Sequence, residues 1–197
     1  MRTPNLLSTL FLCALVPSLW GCGKLAAELN NLNLDGNWQL PCVTSGSTST
    51  SALFKISGDQ VQTTTQKFSG PNCTGLSSTD TQAGTFKQGQ ASDVAPGARE
   101  LDFNMTHLAR RYERDDAADG ANLDSSNLNC QFHGWHRGDD RALTRECTLP
   151  DSPAQTPYTV IWLDGNKLYL GSSSGGPVGM SPEARHRTLS KTPFVKS

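Results

Sequence analysis

The 197-residue sequence lacks three features that would each define a large class of proteins. It has no apolar run long enough to cross a bilayer as a permanent helix, because the run from Leu6 to Leu15 falls short of the roughly 20 residues required. It has no basic surplus, since 17 Lys and Arg stand against 18 Asp and Glu, so we expect no nucleic-acid partner. It also lacks a helical period long enough to cover a parallel sheet, which argues against an α/β fold.

The N-terminus has the order of an export signal. Arg2 precedes the apolar run, which breaks at Pro17, as in a secretory signal peptide. The following residues, Leu19-Trp20-Gly21-Cys22, resemble the lipobox of bacterial lipoproteins, in which an aliphatic residue lies three positions before a lipid-carrying cysteine. The resemblance implies a signal peptide over residues 1–21 and a diacylglycerol thioether with an acylated amine on Cys22. An ordinary secretory peptide, with Cys22 as a thiol or a disulfide partner, is the alternative.

The lipoprotein resemblance also implies a location. More than one acyl chain holds a protein stably on a membrane, whereas a single chain is marginal. Residue 23 is Gly rather than Asp, and in Gram-negative bacteria a non-Asp residue at this position commonly accompanies export to the outer membrane. We therefore expect a lipid-anchored protein of the bacterial cell envelope, in the outer membrane if the cell is Gram-negative. Residues 22–35 are expected to form the lipidated N-terminus and tether, and residues 36–197 a single domain.

The number of cysteines agrees with this assignment of Cys22. Cys13 leaves with the signal peptide, and lipid on Cys22 leaves an even number of cysteines, as suits an oxidising compartment. The four remaining residues are Cys42, Cys73, Cys130 and Cys147. None has C-x-x-C spacing, so disulfides are favoured over a metal site. Three connectivities are possible, and we prefer Cys42 with Cys73 and Cys130 with Cys147, because each pair brackets a locally folded unit.

Alternation of apolar and polar residues predicts an all-β domain from Gly36 onward. The clearest hairpin joins Ala52, Phe54 and Ile56 through a Gly58-Asp59 turn to the β-branched segment 61–65. Other predicted strands lie at 36–42, 84–86, 101–105, 158–163, 167–170 and 188–195, whereas 47–51 is expected to be a loop and 110–126 a loop or short helix. These segments predict a single antiparallel up-and-down barrel of about eight strands with two disulfides, because closure leaves no exposed edge.

One tripeptide connects this barrel with a known family. Gly36-Asn37-Trp38 resembles the G-x-W signature that opens the first strand of lipocalins. The resemblance implies a lipocalin-like barrel in which Trp38 packs across the closed end. It also implies that an arginine late in the chain, Arg185 or Arg187, lies over this tryptophan.

A second resemblance is to a group of small bacterial lipoproteins. They share the G-x-W start and cysteines like Cys42 and Cys73. They also share a C-x-F-x-x-W stretch, matched here by Cys130, Phe132 and Trp135. A D-G-N-K-L-Y-x-G hairpin is matched here from Asp164 to Gly171. The chain also resembles the extracellular domain of the adenomatosis-polyposis-coli-down-regulated family, whose barrel-like fold is thought to accept lipid. None of these resemblances implies a catalytic residue.

Two short patterns suggest chemistry but have simpler interpretations. His133 and His136 are ligands of the kind that zinc or copper prefers, yet residues three apart on a strand face opposite sides. The segment 171–175 fits the G-x-S-x-G pattern of a hydrolase nucleophile elbow, but Gly176-Pro177 is a poor start for the helix that such a turn requires. A flexible loop is the simpler interpretation of the second pattern.

A third pattern resembles a calcium loop. Asp115, Asp119 and Gly120 have suitable spacing, but Ala117 and Ser126 stand where stronger oxygen donors are required. The sequence therefore predicts no metal site, no cofactor and no catalytic residue, and the protein is not expected to be an enzyme.

Two functions remain open at this point. In one, the barrel binds or shuttles a small apolar molecule or lipid, with possible ligand-lining residues Phe54, Ile56, Phe103, Trp162 and Tyr169, although core packing is the commoner role of strand aromatics. In the other, the barrel is filled by its own side chains, and its loops contact an envelope partner. The size of the inward side chains distinguishes the two, but Ala52 beside Phe54 and Ile56 leaves the choice open.

Overall fold

The computed structural model describes residues 31–123, 134–148, 152–172 and 179–197, which belong to one compact unit from Asn31 to Ser197. The predicted signal peptide, Cys22, Cys130 and His133 lie outside the described residues, so the predictions made on them stay predictions. Among the described residues, no helix has the length and apolar character needed to cross a membrane.

Eight antiparallel strands close into an up-and-down barrel, which confirms the predicted fold class. The first five are β1 (Gly36–Ser45), β2 (Thr48–Ser57), β3 (Gln60–Phe68), β4 (Leu76–Ala91) and β5 (Arg99–Tyr112). Helix α1 (Asp115–Leu123), the short strand β6 (Asp140–Ala142) and a 3-10 turn (Arg145–Cys147) follow. The last three barrel strands are β7 (Tyr158–Asp164), β8 (Lys167–Leu170) and β9 (Phe194–Lys196). β9 pairs with β1 and closes the barrel, while β6 pairs with β5 beside it.

The directions of the strands define two ends of the barrel. β1 starts at the end where Gly58-Asp59 connects β2 to β3 and Gly165-Asn166 connects β7 to β8. We call this the Trp38 end. The β1–β2 turn, the loop 69–75 and residues 171–172 lie at the opposite end, which we call the cavity end. The two predicted hairpin turns are therefore at the same end of the molecule.

Two polar segments form longer strands than the sequence predicts. The prediction of a loop at 47–51 is wrong, because β2 already starts at Thr48. Ser49 is buried there: its hydroxyl donates to the Gly70 carbonyl and accepts a hydrogen bond from the Cys73 N–H. β4 has 16 residues instead of a short segment around Phe86, because several of its inward residues are polar and give no apolar alternation.

A disulfide between Cys42 and Cys73 ties the end of β1 to the loop 69–75, with the Cα atoms 5.9 Å apart. The first predicted pairing is thereby confirmed. The sequence separation of 31 residues corresponds to about 3–4 kcal/mol of stabilisation through the restricted unfolded chain. The second predicted pairing stays a prediction, because Cys130 lies outside the described residues.

A small second core lies beside the barrel and includes Trp135 of the C-x-F-x-x-W stretch. Ala118 and Ala121 of α1 pack with Trp135, and the Tyr112 ring meets the indole edge-on with ring centroids 4.9 Å apart. Asn122 fixes the Trp135 backbone from both sides: its carbonyl oxygen accepts from the Trp135 N–H, and its amide donates to the Trp135 carbonyl. Helix α1 is thus attached to the end of β5.

Candidate functional site

A cavity of about 530 Å³ occupies the half of the barrel nearest the cavity end. Its floor is aromatic. The Phe54 ring packs against Phe194 with centroids 4.8 Å apart and against Phe103 with centroids 6.3 Å apart. Below this floor, the half of the barrel at the Trp38 end is filled by buried apolar side chains, among them Trp38, Ile56 and Leu168. The apolar core therefore fills one half of the barrel, and the cavity occupies part of the other half.

The walls of the cavity close to the floor are mostly aliphatic, with Thr159 of β7 as a polar residue among them. Ala52, Leu40 and Val43 line it from β2 and β1, and Leu170 from β8. Leu40 and Val43 would face opposite sides of a regular strand. The register between β1 and β2 shifts between these two residues, and this bulge lets both side chains reach the interior.

The mouth of the cavity is polar. Thr50 and Thr65 line it from β2 and β3, and Lys67 follows Thr65 at the next inward position of β3. From the loop before β9 come Ser190, Lys191 and Thr192. The lining therefore changes from aromatic at the floor to hydroxyl and ammonium groups at the opening.

Residues 152–157 pass over one side of this opening. Ser152, Pro153 and Thr156 line the cavity, whereas Ala154 is buried in the barrel core. The Ala154 N–H donates to the Gln82 side-chain carbonyl over 3.3 Å, and the Phe103 N–H donates to the Pro157 carbonyl over 2.8 Å. These bonds hold the segment against β4 and β5, so it forms part of the cavity wall.

An ion pair lies within the barrel on β4 and β5. Arg110 and Asp80 are direct cross-strand partners, and the guanidinium donates two hydrogen bonds to the carboxylate over 2.6 and 2.7 Å. The side chains are only 14% and 3% exposed. Burial alone would lower the pKa of Arg110, but the hydrogen bonds and charge of Asp80, with a contribution from Tyr112, raise it above its ordinary value. This pair fills a polar part of the interior.

The Trp38 end is closed by the tryptophan of the G-x-W motif. Trp38 is 1% exposed, and its indole N–H donates to the Leu34 carbonyl over 2.7 Å. The Lys196 ammonium lies 5.0 Å from the indole centroid. Gly36 has φ +131°, and a Cβ there would lie 2.7 Å from Lys196 Cε, so glycine suits this position on both counts. Residues Leu32 and Leu34 of the predicted tether already pack against the core.

The structure corrects the prediction that Arg185 or Arg187 covers Trp38. Arg185 instead lies over the Tyr158 ring at 5.6 Å and donates to the Asp102 carboxylate over 2.6 Å. It also donates to the Leu101 and Thr159 carbonyls, so it attaches the C-terminal segment to the outside of β5 and β7. Arg187 is exposed.

Lys196 reaches Trp38 because it is the last residue of β9, directly paired with Trp38 on β1.

The predicted ligand-lining residues lie in three different places. Phe54 and Phe103 form the cavity floor. Ile56 is buried deeper, in the packed core. Trp162 and Tyr169 are direct cross-strand partners outside the barrel, because their neighbours Ile161 and Leu168 face the core. There the two rings pack at a tilt with centroids 5.1 Å apart, and the Trp162 indole donates to the Pro96 carbonyl.

Sequence reasoning did not single out the residues at the mouth. Lys67 has a signal in the sequence, because it extends the period-two series of Val61, Thr63 and Thr65, whose first two members are buried. Lys191 has none, since only the closure of β9 onto β1 brings its loop to the opening. Lys196 continues the alternation that Phe194 starts.

The described residues form neither the calcium loop nor a metal site of the kinds that the sequence patterns suggested. Residues 115–123 form α1, so Asp115, Asp119 and Gly120 are helical and not part of a calcium loop. In the residues that the structure describes, no group of three His, Cys, Asp or Glu side chains is placed to hold a metal ion. His133 and most of the G-x-S-x-G segment lie outside the described residues.

No family model and no curated protein sequence matches the chain. The eight-stranded antiparallel barrel is compatible with a lipocalin-like fold. The features of the barrel that bear on function are the cavity, its aromatic floor and its polar mouth.

Proposed function

We propose that this chain is a non-catalytic binding protein of the bacterial envelope, held on a membrane by lipid on Cys22, whose barrel takes up a small ligand with an apolar body. The single observation that supports the binding role is the cavity of about 530 Å³ above the Phe54–Phe103–Phe194 floor, whereas the lipid anchor rests on the sequence from Leu19 to Cys22. Small-molecule sites commonly have volumes of about 300–1,000 Å³, with mostly apolar walls and a few polar groups. The cavity has this size and this distribution of side chains.

The alternative of a filled barrel that acts through its surface has less support. The apolar packing ends at the aromatic floor. Above the floor, the buried Asp80–Arg110 pair fills the side of β4 and β5, and the cavity lies beside it. The exposed large apolar side chains of the described residues are Leu123, Met180 and Val195, which lie on three different elements. Single exposed apolar residues of this kind are normal for a protein surface and do not indicate a docking patch. An envelope partner remains the second candidate.

The lipid anchor has a direct test in the cell of origin. Cys22→Ser should abolish incorporation of radiolabelled palmitate and yield an unlipidated precursor or a soluble product, because the acylated thiol is missing. Cys13→Ser is the matched control, since Cys13 lies within the predicted signal peptide and should leave labelling unchanged. Fatty acid that still enters the Cys22→Ser protein would contradict the anchor.

Filling the cavity should abolish ligand uptake. For this experiment the mature chain, residues 22–197 with Cys22→Ser, is secreted behind a signal peptide without a lipobox. It should bind the neutral apolar dye N-phenylnaphthylamine, with increased fluorescence. Thr50→Trp places an indole in the cavity and should weaken binding at least about tenfold, which corresponds to 1.4 kcal/mol. The expected loss arises from occupied volume and not from changed charge.

Ser51→Trp is the matched control, because neighbouring residues of a strand face opposite sides. Ser51 lies next to Thr50 on β2, and its variant should bind the dye within about twofold of the parent. Circular dichroism and thermal melting verify that both variants are folded. Absence of dye binding by the parent, or equal binding by parent and Thr50→Trp, would refute the proposed site. Native mass spectrometry of the secreted parent should also find a co-purified apolar molecule.

A further inference from the structure

We infer that the cavity selects an amphiphile with an anionic head group, which Lys67 and Lys191 bind at the mouth while the apolar tail rests on the aromatic floor. The inference rests on the proposed function and specifies the chemical class of its ligand. It depends on the position of the two lysines, on the absence of compensating charge among the described residues, and on the polarity gradient of the cavity.

The two lysines belong to different parts of the barrel wall. Lys67 lies near the end of β3, where its direct partners are Thr50 on β2 and Ser78 on β4. Lys191 lies in the loop that leads into β9. Around the closed barrel, β2 and β1 separate β3 from β9. Both lysines line the same cavity, so two cationic side chains are available to a head group at its mouth.

Negative charge does not compensate these lysines within the described part of the chain. None of the described residues that line the cavity is Asp or Glu. Neither Lys67 nor Lys191 takes part in an ion pair between described residues. The inward-facing carboxylate of Asp80 is already bound by Arg110. An anion at the mouth would therefore meet two positive charges available for charge-assisted hydrogen bonds.

The gradient of the lining orients the ligand. The floor of Phe54, Phe103 and Phe194 provides only apolar contacts, and burial of a hydrocarbon tail there is favourable. Hydrated lysines at the opening favour an anionic head and oppose a cationic one. A wholly apolar ligand would gain the burial of its hydrocarbon surface but no interaction with the lysines. The geometry thus favours a single amphiphilic orientation, with the tail inside and the head at the mouth.

Three probes with the same hydrocarbon chain test this inference: laurate, lauryl alcohol and dodecyltrimethylammonium. Displacement of N-phenylnaphthylamine from the secreted mature chain gives their relative affinities below the concentrations at which they form micelles. Laurate should bind about tenfold more tightly than the alcohol, and the cation should bind most weakly. Added salt should reduce the preference for laurate, because exposed charges are screened within roughly 10 Å at moderate ionic strength.

The double variant Lys67→Met/Lys191→Met should remove the preference by weakening laurate binding about tenfold while leaving alcohol binding unchanged. Lys55→Met/Lys87→Met removes the same charge from two exposed lysines that do not line the cavity and should retain the preference. Equal binding of all three probes, or a preference that survives the first double variant, would overturn the anionic selection while leaving an apolar site. If neither the dye nor any of the three probes binds, the proposed function itself fails.

Discussion

Replacement of Arg110 by methionine should lower the free energy of unfolding by about 3–5 kcal/mol, because it leaves a buried carboxylate without its partner. Asp80 is 3% exposed, and both of its carboxylate oxygens accept hydrogen bonds from Arg110. Water therefore has little access to the Asp80 carboxylate and cannot replace the hydrogen bonds of the missing guanidinium. Urea unfolding of the secreted mature chain measures the loss.

Two further variants distinguish the stability effect of the buried Asp80–Arg110 pair from that of an exposed ion pair. Arg114→Met removes an arginine whose partner, Asp116, is 66% exposed, so the free energy of unfolding should hardly change. Asp80→Leu combined with Arg110→Met removes both buried charges and should recover most of the stability that Arg110→Met loses. If Arg110→Met were no more destabilising than Arg114→Met, the described pair would not be a buried contact of the folded protein.

Trp38→Ala should also destabilise the barrel by about 3–5 kcal/mol, the usual range for truncation of a large buried aromatic residue. The substitution empties the packed Trp38 end and removes the indole donor to the Leu34 carbonyl. It also removes the surface beneath the Lys196 ammonium. Urea unfolding again measures the effect, and thermal melting should show a corresponding decrease in Tm.

Trp162→Ala is the matched control for Trp38→Ala. Trp162 is half-buried on the outside of the barrel, where it packs against the Tyr169 ring. Its truncation should cost about 1–2 kcal/mol. Equal losses for the two tryptophans would contradict the assignment of Trp38 to the barrel core and of Trp162 to the outer face.

The barrel itself could be predicted because its turns and apolar alternation are local signals. Gly58-Asp59 and Gly165-Asn166 connect strand pairs in the predicted places, and β9 closes the sheet near the predicted segment 188–195. The extent of β4 could not be predicted in this way. Its buried residues Ser78, Asp80 and Gln82 are polar, and their partners lie on other strands or loops. Alternation of hydrophobicity does not reveal a polar interior.

The site was only partly predictable for a related reason. Phe54 and Phe103 were found by alternation, but their position at the boundary between the apolar core and the cavity depends on closure of the whole barrel. Bulges also change which residues face inward, as at the register shift between Leu40 and Val43. Trp162 and Tyr169 have the composition expected of ligand-lining residues, yet the inward faces of β7 and β8 belong to their neighbours.

Direct location of a bound ligand tests the central claim that the cavity of the barrel is a binding site. Methyl-labelled secreted mature chain with bound N-phenylnaphthylamine should give intermolecular nuclear Overhauser effects from the dye to Leu40, Val43 and Leu170, which line the cavity. The methyl groups of Leu168, which is 0% exposed in the core at the Trp38 end, should give none. Dye contacts confined to the outer face around Trp162 and Tyr169, with none to the cavity methyl groups, would contradict the account.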